Sequence, residues 1–141
     1  MREKPRLSVT TTIEPQFYDV DPMNIVWHGN HVRFLEIARR DFLKKIDYDY
    51  EEMRKSGYQW PIVDLRLRYY RPIHFAQNVD IETSLIDWEA RLKLAYLIID
   101  QRSREKLVRA HSVQVAVDLN SKEMLWETPK AMREKLAPFL G

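Results

Sequence analysis

A single long segment of helical periodicity, residues 30–46, constrains the fold of this chain more than any other feature of its sequence. Its apolar side chains recur every three or four residues and form one stripe, which consists of Leu35, Ala38, Phe42 and Ile46. Two further apolar residues, Phe34 and Ile37, lie beside this stripe. Asn30 is predicted to be the N-cap, because its side-chain oxygen can accept hydrogen bonds from the free amides of the first turn. A helix with such a wide apolar face must be covered, and most of the remaining chain is predicted to form strands.

Five other segments alternate apolar and polar side chains with the period of two that is typical of strands. They are residues 7–13, 63–70, 79–86, 92–100 and 108–119. Two short helices are also predicted, one over residues 50–56 and one at the C-terminus with Pro129 at its start. The order of strand, long helix and then consecutive strands predicts an α+β fold, with one antiparallel sheet wrapped around one long central helix.

The composition is that of a single globular domain, residues 1–141. Of the 141 residues, 45% are hydrophobic and 31% are charged, and a domain near this size buries roughly 68–70% of its unfolded surface. The absence of cysteine excludes disulfides, thiolate metal sites and a cysteine nucleophile. No apolar run approaches the ~20 residues that cross a bilayer, so a cytoplasmic protein is expected. A net charge of +2 is too small to indicate a nucleic-acid or membrane partner.

Acidic and imidazole groups crowd the segment that leads into the predicted helix. Residues 17–31 read FYDVDPMNIVWHGNH, with aspartates at positions 19 and 21 and histidines at positions 28 and 31. The first amides of a helix lack intrahelical partners and lie at the positive end of its dipole, so they can bind a developing negative charge. A carboxylate beside such amides suits acyl transfer, in which a nucleophile or an activated water attacks a carbonyl. We therefore interpret this segment as a catalytic elbow.

The same segment resembles the signature of a known family. Residues 21–22, 25–28, 30–31 and 34–39 resemble the motif of the 4-hydroxybenzoyl-CoA thioesterase-like family. The order of the predicted elements is similar over residues 7–128, whereas the distinctive motif lies between residues 19 and 39. The resemblance implies the hotdog fold and the hydrolysis of an acyl-CoA thioester to a free acid and CoA, without a metal or another cofactor.

The resemblance also implies roles for individual residues. Asp21 corresponds to the catalytic carboxylate, and Trp27 with His28 corresponds to the aromatic–histidine pair of the family. The backbone amides of His28, Gly29 and Asn30 are expected to bind the thioester carbonyl as an oxyanion hole. Whether Asp21 attacks the carbonyl or activates a water stays open. The role of His28 is open too: it can orient the substrate, hold the carboxylate or donate toward the leaving sulfur.

The sequence departs from the family pattern at two places. Met23-Asn24 stands where the family has glycine in the elbow, and asparagine tolerates a positive φ better than most residues. Glycine is also missing just before Pro61. We expect a substrate pocket lined by Trp27, Tyr58 and Trp60, different in shape from that of the aromatic-acyl enzymes.

Two features of the elbow also have other interpretations. An isolated Asp-Pro more often forms a turn in which the aspartate bonds its own backbone, and this reading applies to Asp21. His28 and His31 form an H-x-x-H pair that could imitate a metal site together with Asp19 or Asp21. If Asn30 caps the helix, the two rings need not share a face, and no metal site is predicted.

Charged residues outside the elbow support fewer conclusions. Glu36 and Arg39 lie three residues apart, which is close enough for an ion pair. The pair is expected either on a solvated helix face or at a functional position, in the pocket or in a dimer contact. Arginines recur on the predicted strands, including Arg66, Arg68 and Arg109. Arginine suits the phosphates of coenzyme A, but most of these side chains are expected to be solvated.

The resemblance implies a homodimer in which two sheets join edge to edge with the active sites at the interface, either alone or paired into a tetramer. Two alternatives to an acyl-CoA thioesterase stay open. The thioester could be carried on acyl carrier protein, or the chain could be a non-catalytic acyl-CoA-binding module on the same fold. A nucleic-acid binder is disfavoured by the near-neutral charge.

Overall fold

The computed structural model describes residues 7–140 and contains a five-stranded antiparallel sheet. The strands are β1 (Ser8–Ile13), β3 (Ile62–Tyr69), β4 (Val79–Asp87), β5 (Leu92–Asp100) and β6 (Lys106–Gln114). Their order across the sheet is β1-β4-β5-β6-β3. A separate two-stranded ribbon pairs β2 (Tyr58–Gln59) with β7 (Val117–Asp118). The predicted α+β architecture is confirmed.

The central helix, α1, spans Asn30–Lys45 and packs against β1 and β4. The predicted apolar stripe is buried, and so is Phe34, whereas Ile37 is exposed. Helix α2 (Tyr50–Ser56) begins after Asp49, whose side chain caps it, and ends at Gly57 with a left-handed φ of 92°. Helix α3 spans Lys130–Leu140. None of the helices between residues 7 and 140 is long and apolar enough to cross a membrane.

Two sequence-based predictions about these elements are wrong. Asn30 is not the N-cap of α1: Gly29 holds that position, and the Asn30 side chain instead donates to the carbonyl of Asp19 at 2.8 Å. Residues 108–119 do not form one strand, because β6 ends at Gln114. Val117 then pairs with Gln59, which draws the chain out of the main sheet into the ribbon.

Strand β3 lies at one edge of the sheet and, within residues 7–140, pairs only with β6. Its alternating pattern predicts one buried face, but Val63 is 55% and Leu65 is 37% exposed. An edge strand with uncovered apolar side chains is a template for pairing with another chain.

Candidate active site

The elbow is a tight reversal of the chain ahead of α1. Val20 forms a β-bridge with Val26, and Ile25 forms one with His74. Between them the Asp21 amide donates to the carbonyl of Ile25 at 2.8 Å, and the Asn24 amide donates to the carbonyl of Asp21 at 2.9 Å. Asn24 has a φ of 64°. Asparagine therefore provides the positive φ that the elbow requires in the absence of glycine.

Asp19 anchors the elbow to the helix. Its carboxylate is buried, accepts the Gln16 amide at 2.8 Å and pairs with the guanidinium of Arg33. Its backbone carbonyl accepts the Trp27 amide at 3.0 Å and the Asn30 side chain at 2.8 Å. Sequence reasoning considered Asp19 only as a metal ligand. Its burial depends on how the short 3-10 turn at Phe17–Asp19 packs, and local sequence does not distinguish it from Asp21.

Asp21 is half-buried and has a different environment. Its Oδ1 atom accepts the Met23 amide at 2.8 Å, which is the turn interaction that its simpler interpretation predicts. Its Oδ2 atom accepts no hydrogen bond from any residue between 7 and 140. The turn bond thus orients the carboxylate and leaves one oxygen free for a water or a substrate.

The start of α1 offers two free amides. The Asn30 amide is already used, because it donates to the carbonyl of Trp27 at 2.8 Å. The amides of His28 and Gly29 have no acceptor in the described part of the chain. The indole of Trp27 lies directly against Gly29, so that a Cβ atom at this position would overlap the ring.

The two histidines near the helix start differ in burial. His28 is exposed, and its carbonyl accepts the Tyr69 hydroxyl at 3.0 Å and the Nδ1–H of His31 at 3.1 Å. His31 is buried and packs edge-on against Tyr69, with ring centroids 4.8 Å apart. Burial lowers the pKa of His31. His31 therefore packs at the start of α1. Across residues 7–140 no three potential metal-ligating side chains come together.

The predicted substrate pocket is only partly assembled. Tyr58 and Trp60 line a cavity of about 340 Å³ together with Arg39 and Gln114, whereas Trp27 is not among the lining residues. The Trp60 indole donates to the hydroxyl of Tyr48 at 3.2 Å. Trp27 remains at the elbow, where it contacts Gly29.

Arg39 lies in the pocket, which is one of the alternatives that the sequence left open for it. It pairs with Glu36, as the spacing predicts, but it is buried and faces the cavity instead of solvent. The i,i+3 spacing identified the ion pair. It could not identify the buried position, because α2 and the β2–β7 ribbon provide most of the cavity wall.

A second, wider groove of about 930 Å³ lies on the face of the sheet that points away from α1. Its basic side chains come from three strands: Arg66, Arg68, Lys93 and Arg109. None of the four forms an ion pair with residues 7–140. Arg68 and Arg109 are direct cross-strand neighbours, a like-charge pairing that destabilises a sheet.

Comparison with known proteins agrees with this architecture. The family model of the thioesterase-like superfamily matches residues 15–139. The YneP protein of Bacillus subtilis, named provisionally as an acyl-CoA thioesterase, is 28% identical over 109 residues, which are 77% of this chain and 79% of that protein.

Two solved structures show the same fold. Slr0204 of Synechocystis, a 1,4-dihydroxy-2-naphthoyl-CoA thioesterase, superposes with a TM-score of 0.82 at 17% identity, covering 92% of this chain and 96% of the other. A 4-hydroxybenzoyl-CoA thioesterase mutant complexed with 4-hydroxybenzoyl-CoA superposes with a TM-score of 0.79 at 20% identity, over 91% and 97% of the chains. The antiparallel sheet around α1 is the hotdog fold, and the chain belongs to the thioesterase-like superfamily.

Proposed function

We propose that this protein is an acyl-CoA thioesterase whose reaction takes place at the elbow. One observation carries the proposal. Within residues 7–140, the Asp21 carboxylate has an oxygen without a hydrogen-bond donor, and it shares a short segment with two amides that have no acceptor, those of His28 and Gly29 at the start of α1. Hydrolysis of a thioester needs these two components. The first is a group that attacks the carbonyl carbon or activates a water, and the second is a set of donors for the oxygen that becomes negative.

Two routes use the same groups. In one, the Asp21 carboxylate attacks the thioester carbon, CoA thiolate leaves, and water hydrolyses the resulting anhydride to restore the carboxylate. In the other, Asp21 removes a proton from a water that attacks the same carbon. In both routes the His28 and Gly29 amides would stabilise the oxyanion, and one such donor lowers the barrier by about 2.7–4 kcal/mol.

The exposed His28 ring is suited to the leaving group. It lies beside the Trp27 indole, with ring centroids 5.2 Å apart, at the open side of the elbow. A protonated imidazole there would donate to the sulfur as the carbon–sulfur bond breaks. The backbone carbonyl of His28 accepts a hydrogen bond from Tyr69, so the backbone that carries the oxyanion donors is anchored independently of the His28 ring.

The proposal includes a homodimer, and the edge of the sheet supports it. Val63 and Leu65 leave apolar surface exposed on β3, and pairing of two β3 edges would cover this surface and join two five-stranded sheets. Tyr69 connects the same strand to His28. Pairing at β3 would therefore bring the two elbows to the interface, consistent with active sites that lie between protomers.

The decisive experiment measures thiol release from short, long and aromatic acyl-CoAs by the unmodified protein and by Asp21→Asn. We expect release of thiol by the unmodified protein and its loss in the variant, with unchanged folding and oligomeric state. Asp47→Asn is the matched control, because Asp47 is exposed at the other end of α1 with a φ of 57° that asparagine also tolerates. Equal turnover by Asp21→Asn and the unmodified protein would remove Asp21 from the mechanism.

A carrier-bound thioester is the second candidate substrate. The observation in its favour is the groove on the outer face of the sheet, where four basic side chains have no acidic partner in the described chain. Such a surface suits an acidic carrier protein. Turnover of one acyl group on CoA and on acyl carrier protein, compared at low and high salt, would distinguish the two substrates.

A further inference from the structure

The groove on the outer face of the sheet contains positive charge that no acidic group within residues 7–140 compensates. Its four cations are Arg66, Arg68, Lys93 and Arg109. The first two are exposed and the other two are half-buried, so their charged ends can reach a ligand. The acidic side chain in the groove wall, Glu82, already pairs with Arg104, with a nitrogen–oxygen distance of 3.6 Å. The groove therefore presents four cations to an anion.

Two arginines lie at the centre of this charge. Arg68 on β3 is the direct cross-strand neighbour of Arg109 on β6. In such a pair the two Cβ atoms lie about 4.5–5.5 Å apart on the same face of the sheet. Two like charges are therefore held side by side, which destabilises the sheet when no anion is bound. An anion between the two guanidinium groups would remove the repulsion and accept hydrogen bonds from both.

The other two cations surround the same place. Arg66 lies two residues before Arg68, which is about 7 Å along β3 on the same face. Its cross-strand neighbour is His111, which pairs on its other side with Ala95 of β5. Lys93 lies two residues before Ala95 and points to the same face. Because Ala95 has only a methyl side chain, the longer side chains surround an open centre.

A diphosphate group matches this arrangement best. Arginine binds phosphate oxygens through pairs of parallel N–H donors, and a diphosphate offers two adjacent phosphates to the converging cations. Carboxylates on a protein surface are single charges spaced farther apart, so they match the convergence less well. The groove, at about 930 Å³, is within the size range of small-molecule sites. The exposed side chains of Tyr70 and Ile86 add apolar surface for the organic part of a ligand.

The sheet separates this groove from the elbow. Tyr69 contacts the elbow from the α1 side of β3, whereas Arg66 and Arg68 project from the opposite side of the same strand. In the proposed dimer the partner's β3 continues the sheet across this edge, which leaves the two sites on opposite faces of a continuous sheet. We infer that the outer groove binds a second small molecule, separate from the substrate, that carries a diphosphate group, as a nucleoside diphosphate does. Only its separation from the substrate rests on the proposed function and its dimer.

Calorimetry with inorganic pyrophosphate on the full chain tests the site without requiring turnover. We expect one pyrophosphate to bind per protomer and Arg68→Gln or Arg109→Gln to weaken the affinity by about tenfold, because hydrogen bonds to charged groups are strong. Arg102→Gln is the matched control, since it makes the same charge change at an exposed position outside the groove. The absence of binding, or equal weakening by all three substitutions, would overturn the inference.

A dicarboxylate distinguishes a diphosphate site from a merely basic surface. Succinate, measured at the same ionic strength, should bind more weakly than pyrophosphate, because its charge is more widely spaced. Equal affinity for the two anions would overturn the assignment to a diphosphate.

Thermal unfolding gives a second measurement on the same variants. Arg68→Gln removes a like-charge pair, so its Tm without ligand should be no lower than that of the unmodified protein. Pyrophosphate should raise the Tm of the unmodified protein and change that of the variant much less. Arg66→Gln, at an exposed position of the edge strand, provides an independent variant with the same expectation. Equal stabilisation of the unmodified protein and both variants would refute the site.

Kinetics distinguishes a separate ligand from the diphosphate of the substrate itself, because acyl-CoA contains a diphosphate and acyl-pantetheine does not. Pyrophosphate should change the KM of both substrates equally. An increase in KM for acyl-CoA alone would assign the groove to the substrate and overturn the inference. Specific pyrophosphate binding in a protein that releases no thiol would contradict only the proposed hydrolysis. Thiol release without pyrophosphate binding would contradict only the second ligand.

Discussion

The hydroxyl of Tyr69 donates a hydrogen bond of 3.0 Å to the backbone carbonyl of His28, which connects the edge strand of the sheet to the residue just before the N-cap of the central helix. The ring of the same tyrosine packs edge-on against His31. Asp19 also holds the elbow, through its carbonyl and carboxylate. The free amides of the elbow are therefore positioned by two parts of the chain that are about fifty residues apart in sequence.

Tyr69→Phe tests the first of these anchors. The substitution keeps the ring contact with His31 and removes one hydrogen bond, so we expect a loss of about 0.5–1.5 kcal/mol in the free energy of unfolding. Turnover of acyl-CoA should fall as well, because the His28 backbone is less well positioned. Urea denaturation and thiol release measure the two effects. Tyr70→Phe is the control, since Tyr70 is exposed, and an equal effect of both substitutions would refute a special role for Tyr69.

The two aspartates of the elbow should behave in opposite ways. Asp19→Asn removes a buried charge that pairs with Arg33, and we expect it to destabilise the fold by about 1–3 kcal/mol. Asp21→Asn keeps the bond from the Met23 amide and should leave stability nearly unchanged while abolishing turnover. Denaturation curves and thiol release measured on both variants distinguish these roles. If Asp21→Asn were the less stable variant, the assignment of the two roles would be reversed.

Stability should decrease on mild acidification because of His31. Burial lowers the pKa of this side chain below its ordinary value of 6.5, so the unfolded chain binds a proton at a pH where the folded chain does not. The contribution to stability is full above pH 6.5 and is lost as the pH falls below it. His31→Gln should flatten the pH dependence of the unfolding free energy between about pH 7.5 and pH 5.5. His74→Gln, at an exposed position, should leave it unchanged.

The contact between Trp27 and Gly29 predicts a coupled pair. Gly29 has an ordinary φ of −68°, so only the neighbouring indole opposes a Cβ atom there. Gly29→Ala should destabilise the protein by about 1 kcal/mol, the lower end of the range for overpacking, because the half-exposed indole can move away. In Trp27→Ala the same substitution should have no such effect. A double-mutant cycle measures this coupling, and strictly additive effects would show that the contact has no energetic consequence.

The exposed edge of β3 predicts how the oligomer can be disrupted. Val63→Lys places a charge at the proposed dimer interface and should convert a dimer to a monomer, as measured by sedimentation or light scattering. Ile86→Lys introduces the same charge at a similarly exposed position on β4 and should leave the dimer intact. A dimer that tolerates Val63→Lys would place the interface elsewhere.

Several features were predictable because they depend on neighbours along the chain. The 3.6-residue period identified α1, the alternating pattern identified five strands, and the Asp-Pro pair identified the turn bond of Asp21. The motif across residues 19–39 identified the family. The cap of α1 was predicted incorrectly, because Asn30 is already the first residue of the helix and its side-chain amide donates to the carbonyl of Asp19, eleven residues earlier.

The sequence alone determined that a long amphipathic helix follows an acidic elbow and that strands cover it, because periodicity and turn chemistry are local properties. Only the tertiary structure decided that Asp19 is buried and that Arg39 faces a cavity. It also decided that, among the described residues, nothing donates to the second oxygen of Asp21 and no strand covers the outer edge of β3. These properties depend on burial, and burial is produced by packing between segments that are distant in the chain. A side chain of the same type can therefore be solvated, paired or left free for a ligand, according to which elements pack around it.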